Sequence, residues 1–177
     1  PKSLLDIGNT SMMKRQLDAL AACGVGEVII VTGFEHEQLE FAVRAFAPTM
    51  KLVFIHNPDF ATTNNAYSLM LAEQAIGGRR FLLLDSDLLY DFEVLHRMLE
   101  TTGSSIALRR ADDLGVEEVK LAMDASLGVT GIGKEVAIDA AAGESVGIEV
   151  FEPHHTVELF ATIRHRMLTL GLVHEYY

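Results

Sequence analysis

The sequence predicts an α/β fold of three layers, with a mixed, mostly parallel sheet covered by helices on both faces, and three observations carry that prediction. Short runs rich in Val, Ile, Leu and Phe recur at residues 27–32, 52–55 and 81–84. The stretches between them place apolar residues at helical spacing. Helix-stop residues close those stretches: Gly24, Pro48 and the pair Gly77-Gly78.

Residues 1–7 are largely apolar with one Lys, Lys2, and no earlier element is there to pair with them. Asn9, Thr10 and Ser11 are good N-caps for a helix whose apolar face is Met13, Leu17, Leu20 and Ala21. Cys23 ends that helix and reads as a buried structural thiol. Glu27 to Thr32 reads as a buried strand, and Leu39, Val43 and Phe46 mark the helix after it. Past the strand at 52–55, Pro58 interrupts a polar loop that leads to a helix carrying Tyr67, Leu69, Leu71, Ala72 and Ala75. With Thr63 or Asn64 as N-cap, the first N–H groups of this helix could receive anionic or carbonyl oxygens, and plain capping is the alternative.

Phe81-Leu82-Leu83-Leu84 reads as a strand buried on both faces, and it ends abruptly in Asp85 and Asp87. Carboxylates at this edge matter because open α/β sheets bind ligands at the C-terminal ends of their strands. On an extended backbone the two side chains leave the same face, within reach of one divalent cation such as Mg²⁺. Turn capping by Asp85, with Asp87 solvated, is the competing reading. Val94, Leu95, Met98 and Leu99 then mark a helix, residues 105–108 a strand, and residues 109–115 a charged loop. Beyond it, residues 119–123, 129–133 and 145–151 are strand-like pieces separated only by turns, with a hairpin turn at 124–128, so antiparallel strands are added to the parallel core. A last helix carries Val157, Phe160, Ile163 and Met167, stops at Gly171 and leads to Tyr176 and Tyr177. His154 and His155 point about 100° apart on a helix and read as surface residues. Asp112, Asp113, Glu117 and Glu118 read as solvated loop faces.

Composition narrows the function. The 177 residues suit one domain, and 49% apolar content fills a substantial core. Fourteen Lys plus Arg against twenty-five Asp plus Glu give a net charge of −11, which disfavours nucleic acid and anionic membranes as partners. A single cysteine excludes a disulfide framework and a cysteine metal site. No apolar run approaches the roughly 20 residues that span a bilayer, and a cytoplasmic setting is expected.

Several motifs in order resemble one family. They are Pro1-Lys2-Ser3-Leu4-Leu5, Val28-Ile29-Ile30-Val31-Thr32-Gly33 and Leu84-Asp85-Ser86-Asp87. The chain is similar to the nucleotidyltransferases of the GT-A-like, nucleotide-diphospho-sugar transferase fold. Asn57-Pro58, residues 63–69, Ile132-Gly133-Lys134 and residues 143–148 most resemble the phosphocholine, aminoethylphosphonate and inositol-phosphate cytidylyltransferases. The resemblance implies that Lys2 contacts phosphate and that Asp87, with Asp85 nearby, binds Mg²⁺. It also implies that Thr63, Asn64 and Asn65, with Ser68, hold base and ribose, that Lys134 approaches the acceptor phosphate, and that Glu144 lies near the acceptor. The family's opening strand and glycine-rich triphosphate loop, and its final strand with a second acidic metal ligand, find no match here. The 177 residues are therefore expected to be a single domain, incomplete at both ends, from the centre of a longer enzyme.

The implied reaction is attack by a phosphate or phosphonate oxygen on the α-phosphorus of a nucleoside triphosphate, CTP being expected, with loss of pyrophosphate. A phosphate monoester has its second pKa near ~6, so the nucleophile is already charged and needs no general base. The expected partners are the triphosphate and a small phosphorylated acceptor, with a homodimer left open. Tyr67, Tyr90, Glu144, Tyr176 and Tyr177 could surround a cationic acceptor head. The rival readings are a sugar-1-phosphate nucleotidylyltransferase, a GT-A glycosyltransferase and a non-catalytic nucleotide-binding domain.

Overall fold

A computed structural model of the chain describes residues 1–110 and 113–176. Lys2–Leu4 forms a 3₁₀ turn, after which β1 (Asp6–Ile7) and β2 (Thr10–Ser11) pair as a small antiparallel hairpin. The opening residues therefore do find a partner, downstream of themselves. Ser11 caps α1 (Met12–Ala22) by accepting from the Lys14 N–H at 3.3 Å. Then come β3 (Glu27–Thr32), α2 (His36–Phe46), β4 (Lys51–His56), α3 (Asn65–Leu71) and α4 (Glu73–Ile76). The expected single helix over this last stretch breaks at Ala72, whose N–H turns back to Leu69 and Met70. β5 (Phe81–Leu84), α5 (Phe92–Glu100), β6 (Ser105–Arg109), β7 (Lys120–Met123), β8 (Val129–Gly133), β9 (Gly143–Phe151) and α6 (Pro153–Arg164) complete the order, with a π-helical turn at His165–Thr169.

Strand periodicity divides the core into layers. Val28 and Ile30 of β3, with Leu52 and Phe54 of β4, face Met13 and Leu17 of α1 and Leu39 and Val43 of α2. Ile29, Val31 and Ile55 face the other way, and with Phe81 and Leu83 they pack on Leu69, Ala72, Ile76, Phe160 and Ile163. Leu82 and Leu84 join Ile148 and Val150 against Met98 and Val94 of α5. Helices thus cover both faces, as the α/β class requires.

The proportion of parallel pairing is lower than the sequence predicts. β3 and β4 pair in parallel from Glu27 with Lys51 to Thr32 with His56. Every other pairing among the described residues is antiparallel. β9 causes this, because it runs between β5 and β6 and pairs with both, so two strands of a helix-linked succession never meet. β3 and β5 each pair on one edge only among the described residues, and both line a trough of about 520 Å³ together with Leu17 and Leu69. That opening leaves Phe81 to Leu84 half-buried, where burial on both faces was expected.

Other expectations also change. Cys23 is half-buried, not buried. Glu118 is half-buried, and its Oε2 has no hydrogen-bond partner. Tyr90 packs into the core against Met98, Ile148 and Val150, and burial pushes its phenol up to about 12, so it is no free rim aromatic. Lys120 is fully buried and donates to the carbonyls of Glu118 (3.0 Å) and Gly115 (3.5 Å). Asp112 and Tyr177 lie outside the described residues. No described helix is long and apolar enough to cross a membrane.

Candidate functional site

β5 stops at Leu84 and the chain turns through Ser86 and Asp87, so the extended spacing that would align Asp85 with Asp87 is lost. Buried Gln16 of α1 braces this turn, its Nε2 donating to the Asp85 carbonyl at 3.0 Å and the Leu88 carbonyl at 3.2 Å. Asp87 is exposed and accepts an ion-paired hydrogen bond from Lys2 Nζ, 85 positions away in sequence. The bond to Asp87, then its charge, raises the Lys2 ammonium pKa. The 3₁₀ turn that opens the chain is what presents Lys2 to this edge.

Asp85 takes the opposite direction. Its N–H donates to the Gly147 carbonyl at 3.1 Å, and its carboxylate lies over Gly147 itself. A Cβ at position 147 would come within 2.5 Å of Asp85 Oδ2, and the backbone there has φ of +71°. Two residues along β9 on the same face is Glu149, paired in register with Leu83 and only 8% exposed. Its Oε1 accepts from Ser145 Oγ at 3.3 Å, while Oε2 is buried with no hydrogen-bond partner. Burial, and then the nearby charge of Asp85, push this carboxyl up to about 7. Glu149 is not among the residues that the family resemblance implies, although an acidic residue inside the apolar run of residues 145–151 is a visible signal.

The start of α3 is built differently. Asn64 caps it, accepting from the Asn65 N–H at 2.8 Å and donating through Nδ2 to the His174 carbonyl at 3.1 Å. Asn57 is 1% exposed and donates from Nδ2 to Thr63 Oγ1 and Ser68 Oγ, both at 3.1 Å. Thr63 Oγ1 donates in turn to the Asp59 carbonyl at 2.9 Å. Capping is therefore what Asn64 does, and Thr63 and Ser68 join it in holding the loop. Asn65 and Ser68 also line the trough between β3 and β5.

The remaining candidates pair elsewhere. Glu144 accepts from Arg109 at 2.8 Å, and Arg109 also reaches Asp113 at 3.4 Å. Lys134, just past β8, pairs with Glu117 at 3.0 Å, and that bond and charge raise its ammonium pKa. The structure thus joins Lys2 to Asp87 and brings Asp85 beside Glu149.

A divalent metal needs hard oxygen donors, which Asp85, Asp87 and Glu149 all carry. The described residues hold no group of three or more His, Cys, Asp or Glu in metal-binding arrangement. A buried carboxylate oxygen without a donor is nonetheless chemistry that a cation satisfies, so the residues fit such an ion.

Comparison with known proteins identifies the family and the fold. Residues 1–131 match the model of the MobA-like NTP transferase domain. The chain is 33% identical over 105 residues to the CMP-5'-(3-aminopropyl)phosphonate synthase of Streptomyces rubellomurinus, a match covering 59% of this chain and 17% of that protein. It is 36% identical over 72 residues to the choline-phosphate cytidylyltransferase of Haemophilus influenzae, covering 41% of this chain and 29% of that protein. The chain thus spans less than a third of either curated relative's length. The solved CTP:phosphocholine cytidylyltransferase of Streptococcus pneumoniae superposes with a TM-score of 0.74 at 21% identity, over 99% of this chain and 72% of that one, which shows a shared fold.

Proposed function

The chain belongs to the MobA-like NTP transferase family, and from that premise we propose that it transfers CMP from CTP to a small phosphorylated alcohol or a phosphonate, releasing pyrophosphate. The observation that carries this reading is the joining of Lys2 to Asp87 at the C-terminal end of β5, an anion-binding cation and a metal-type carboxylate on one sheet edge. The named activities of the aminopropylphosphonate and choline-phosphate relatives support the choice of CTP and of the acceptor class.

The chain's residues meet the demands of the reaction in a specific way. Two anions must be brought together in a protein of net charge −11, so local positive charge is needed. Lys2 supplies it at the triphosphate, and Lys134 supplies it at the acceptor phosphate. Asp87 at this edge would hold a Mg²⁺ ion, which when bound neutralises charge on phosphate oxygens. The acceptor oxygen is ionised at neutral pH, so no histidine base is required, and alignment with charge neutralisation makes up the catalysis.

Pyrophosphate release by the full-length protein is the test, with CTP, UTP, dTTP and GTP each offered phosphocholine, aminoethylphosphonate, inositol phosphate and sugar 1-phosphates. Release with CTP and a phosphocholine- or phosphonate-type acceptor is expected, and Asp87→Ala should abolish it while leaving the circular dichroism spectrum unchanged. Turnover retained by Asp87→Ala removes Asp87 from the metal site. Release confined to UTP, dTTP or GTP with a sugar 1-phosphate replaces the cytidylyltransferase reading.

A further inference from the structure

Among the described residues, Glu149 is the one buried carboxylate beside β5, and the reaction outlined above does not use it. Asp87 has Lys2 as its cation, and Glu144 has Arg109. Among the described residues Glu149 accepts a hydrogen bond from a neutral hydroxyl, Ser145 Oγ, and its Oε2 is buried without a donor. A buried ionised oxygen without a donor costs several kcal/mol, so the arrangement as it stands calls for a positive group.

The β9 register shows where that group would sit. Leu83 pairs with Glu149, and the Asp85 N–H bonds the Gly147 carbonyl, so Asp85 and Glu149 are diagonal neighbours on one face of the β5–β9 pair. Gly147 between them has no side chain, and the Asp85 carboxylate fills that place. Two carboxylates on adjacent strands with no side chain between them form a pair of hard oxygen donors, one already stripped of water.

We propose that Glu149 and Asp85 together bind a divalent metal ion on the Gly147 face of the β5–β9 pair. This rests on the reading of the β5 edge as a metal site and adds to it a ligand from a strand that the motif at residues 84–87 does not include. Asp87, held by Lys2 on the far side of the turn, then joins the ion only when Lys2 moves to a phosphate. Loading the metal and engaging the triphosphate become separate events.

The experiment is a Mn²⁺ titration of the full-length protein without nucleotide, followed by electron paramagnetic resonance of the free ion. Glu149→Gln and Asp85→Asn should each weaken Mn²⁺ binding by about tenfold or more, with Asp87→Ala weakening it far less. Thermal unfolding without metal checks that each variant is folded. Affinity in Glu149→Gln equal to that of the unsubstituted protein overturns the proposal. A measurement free of substitution runs beside it: the Gly147 amide resonance should broaden away at substoichiometric Mn²⁺, and a sharp Gly147 signal at saturation also overturns the proposal. Mn²⁺ binding as described, in a protein that releases no pyrophosphate with any acceptor, leaves the metal site standing and removes the transferase reading.

Discussion

The start of α3 and the end of β5 were both read as ligand-binding candidates, yet they spend their polar groups in opposite ways. Around α3, Asn57 ties Thr63 to Ser68, Thr63 ties back to Asp59, and Asn64 closes the helix and reaches His174. At the β5 end, Lys2 and Asp87 meet in the open, while Glu149 is buried with an oxygen that no described residue satisfies. The lesson is that polarity in sequence does not separate structural groups from reactive ones. Satisfaction does: a side chain whose bonds are complete within the fold must break them before it can serve a ligand.

The comparison can be broken most forcefully at Asn57. Replacing it with Ala removes both Nδ2 bonds and the Oδ1 that accepts from the Asp59 N–H at 2.9 Å, leaving several groups unpaired in a buried place. Stability to urea should fall by about 3 kcal/mol. A loss below about 1 kcal/mol would show that water replaces these bonds and that the α3 start is less closed than described.

Glu149 sharpens the other side through pH. Its folded-state carboxyl is raised from 4.5 to about 7, so between those values the folded chain keeps a proton that the unfolded chain has lost. Stability from this group is therefore full below pH 4.5, declines as pH rises and is exhausted above about 7. Metal-free protein should lose on the order of 2 kcal/mol across that window, and Glu149→Gln, which cannot titrate, should flatten the slope. Chemical denaturation at pH 4.5, 6 and 8 measures it, and an unchanged slope in the variant would move the raised pKa to another group. Asn64→Ala carries the smallest effect, about 1 kcal/mol for a lost N-cap, read as a shift in melting temperature. If pyrophosphate release also fell in that variant while the fold held, the α3 start would serve a ligand as well as cap the helix.

Much of the fold was legible because strand and helix signals are local. Glu27 to Thr32, Phe81 to Leu84 and Val129 to Gly133 match the observed strands residue for residue, and Ser11 and Asn64 cap where their side chains suggest. What escaped was non-local. Nothing in residues 143–151 announces that this strand will lie between β5 and β6, and that insertion makes a sheet expected to be mixed and mostly parallel largely antiparallel. The alignment of Asp85 with Asp87 fails because it needs an extended backbone through Asp87, whereas the strand ends at Leu84 and the chain turns at Ser86 and Asp87. Lys2 and Asp87 were each singled out, but their meeting depends on a 3₁₀ turn and a hairpin whose sequence carries almost no periodic signal.

Gly147 makes the carboxylate arrangement vulnerable at a position with no chemistry of its own. The site needs vacant volume there as much as it needs oxygen atoms elsewhere, since the Asp85 carboxylate lies where a side chain would begin. A single methyl group would act on the charges at a distance, evicting Asp85 from its seat and straining a backbone with φ of +71°. Variation at this silent residue would thus be inherited as a change in electrostatics, and a search for damaging substitutions restricted to charged residues would pass over it.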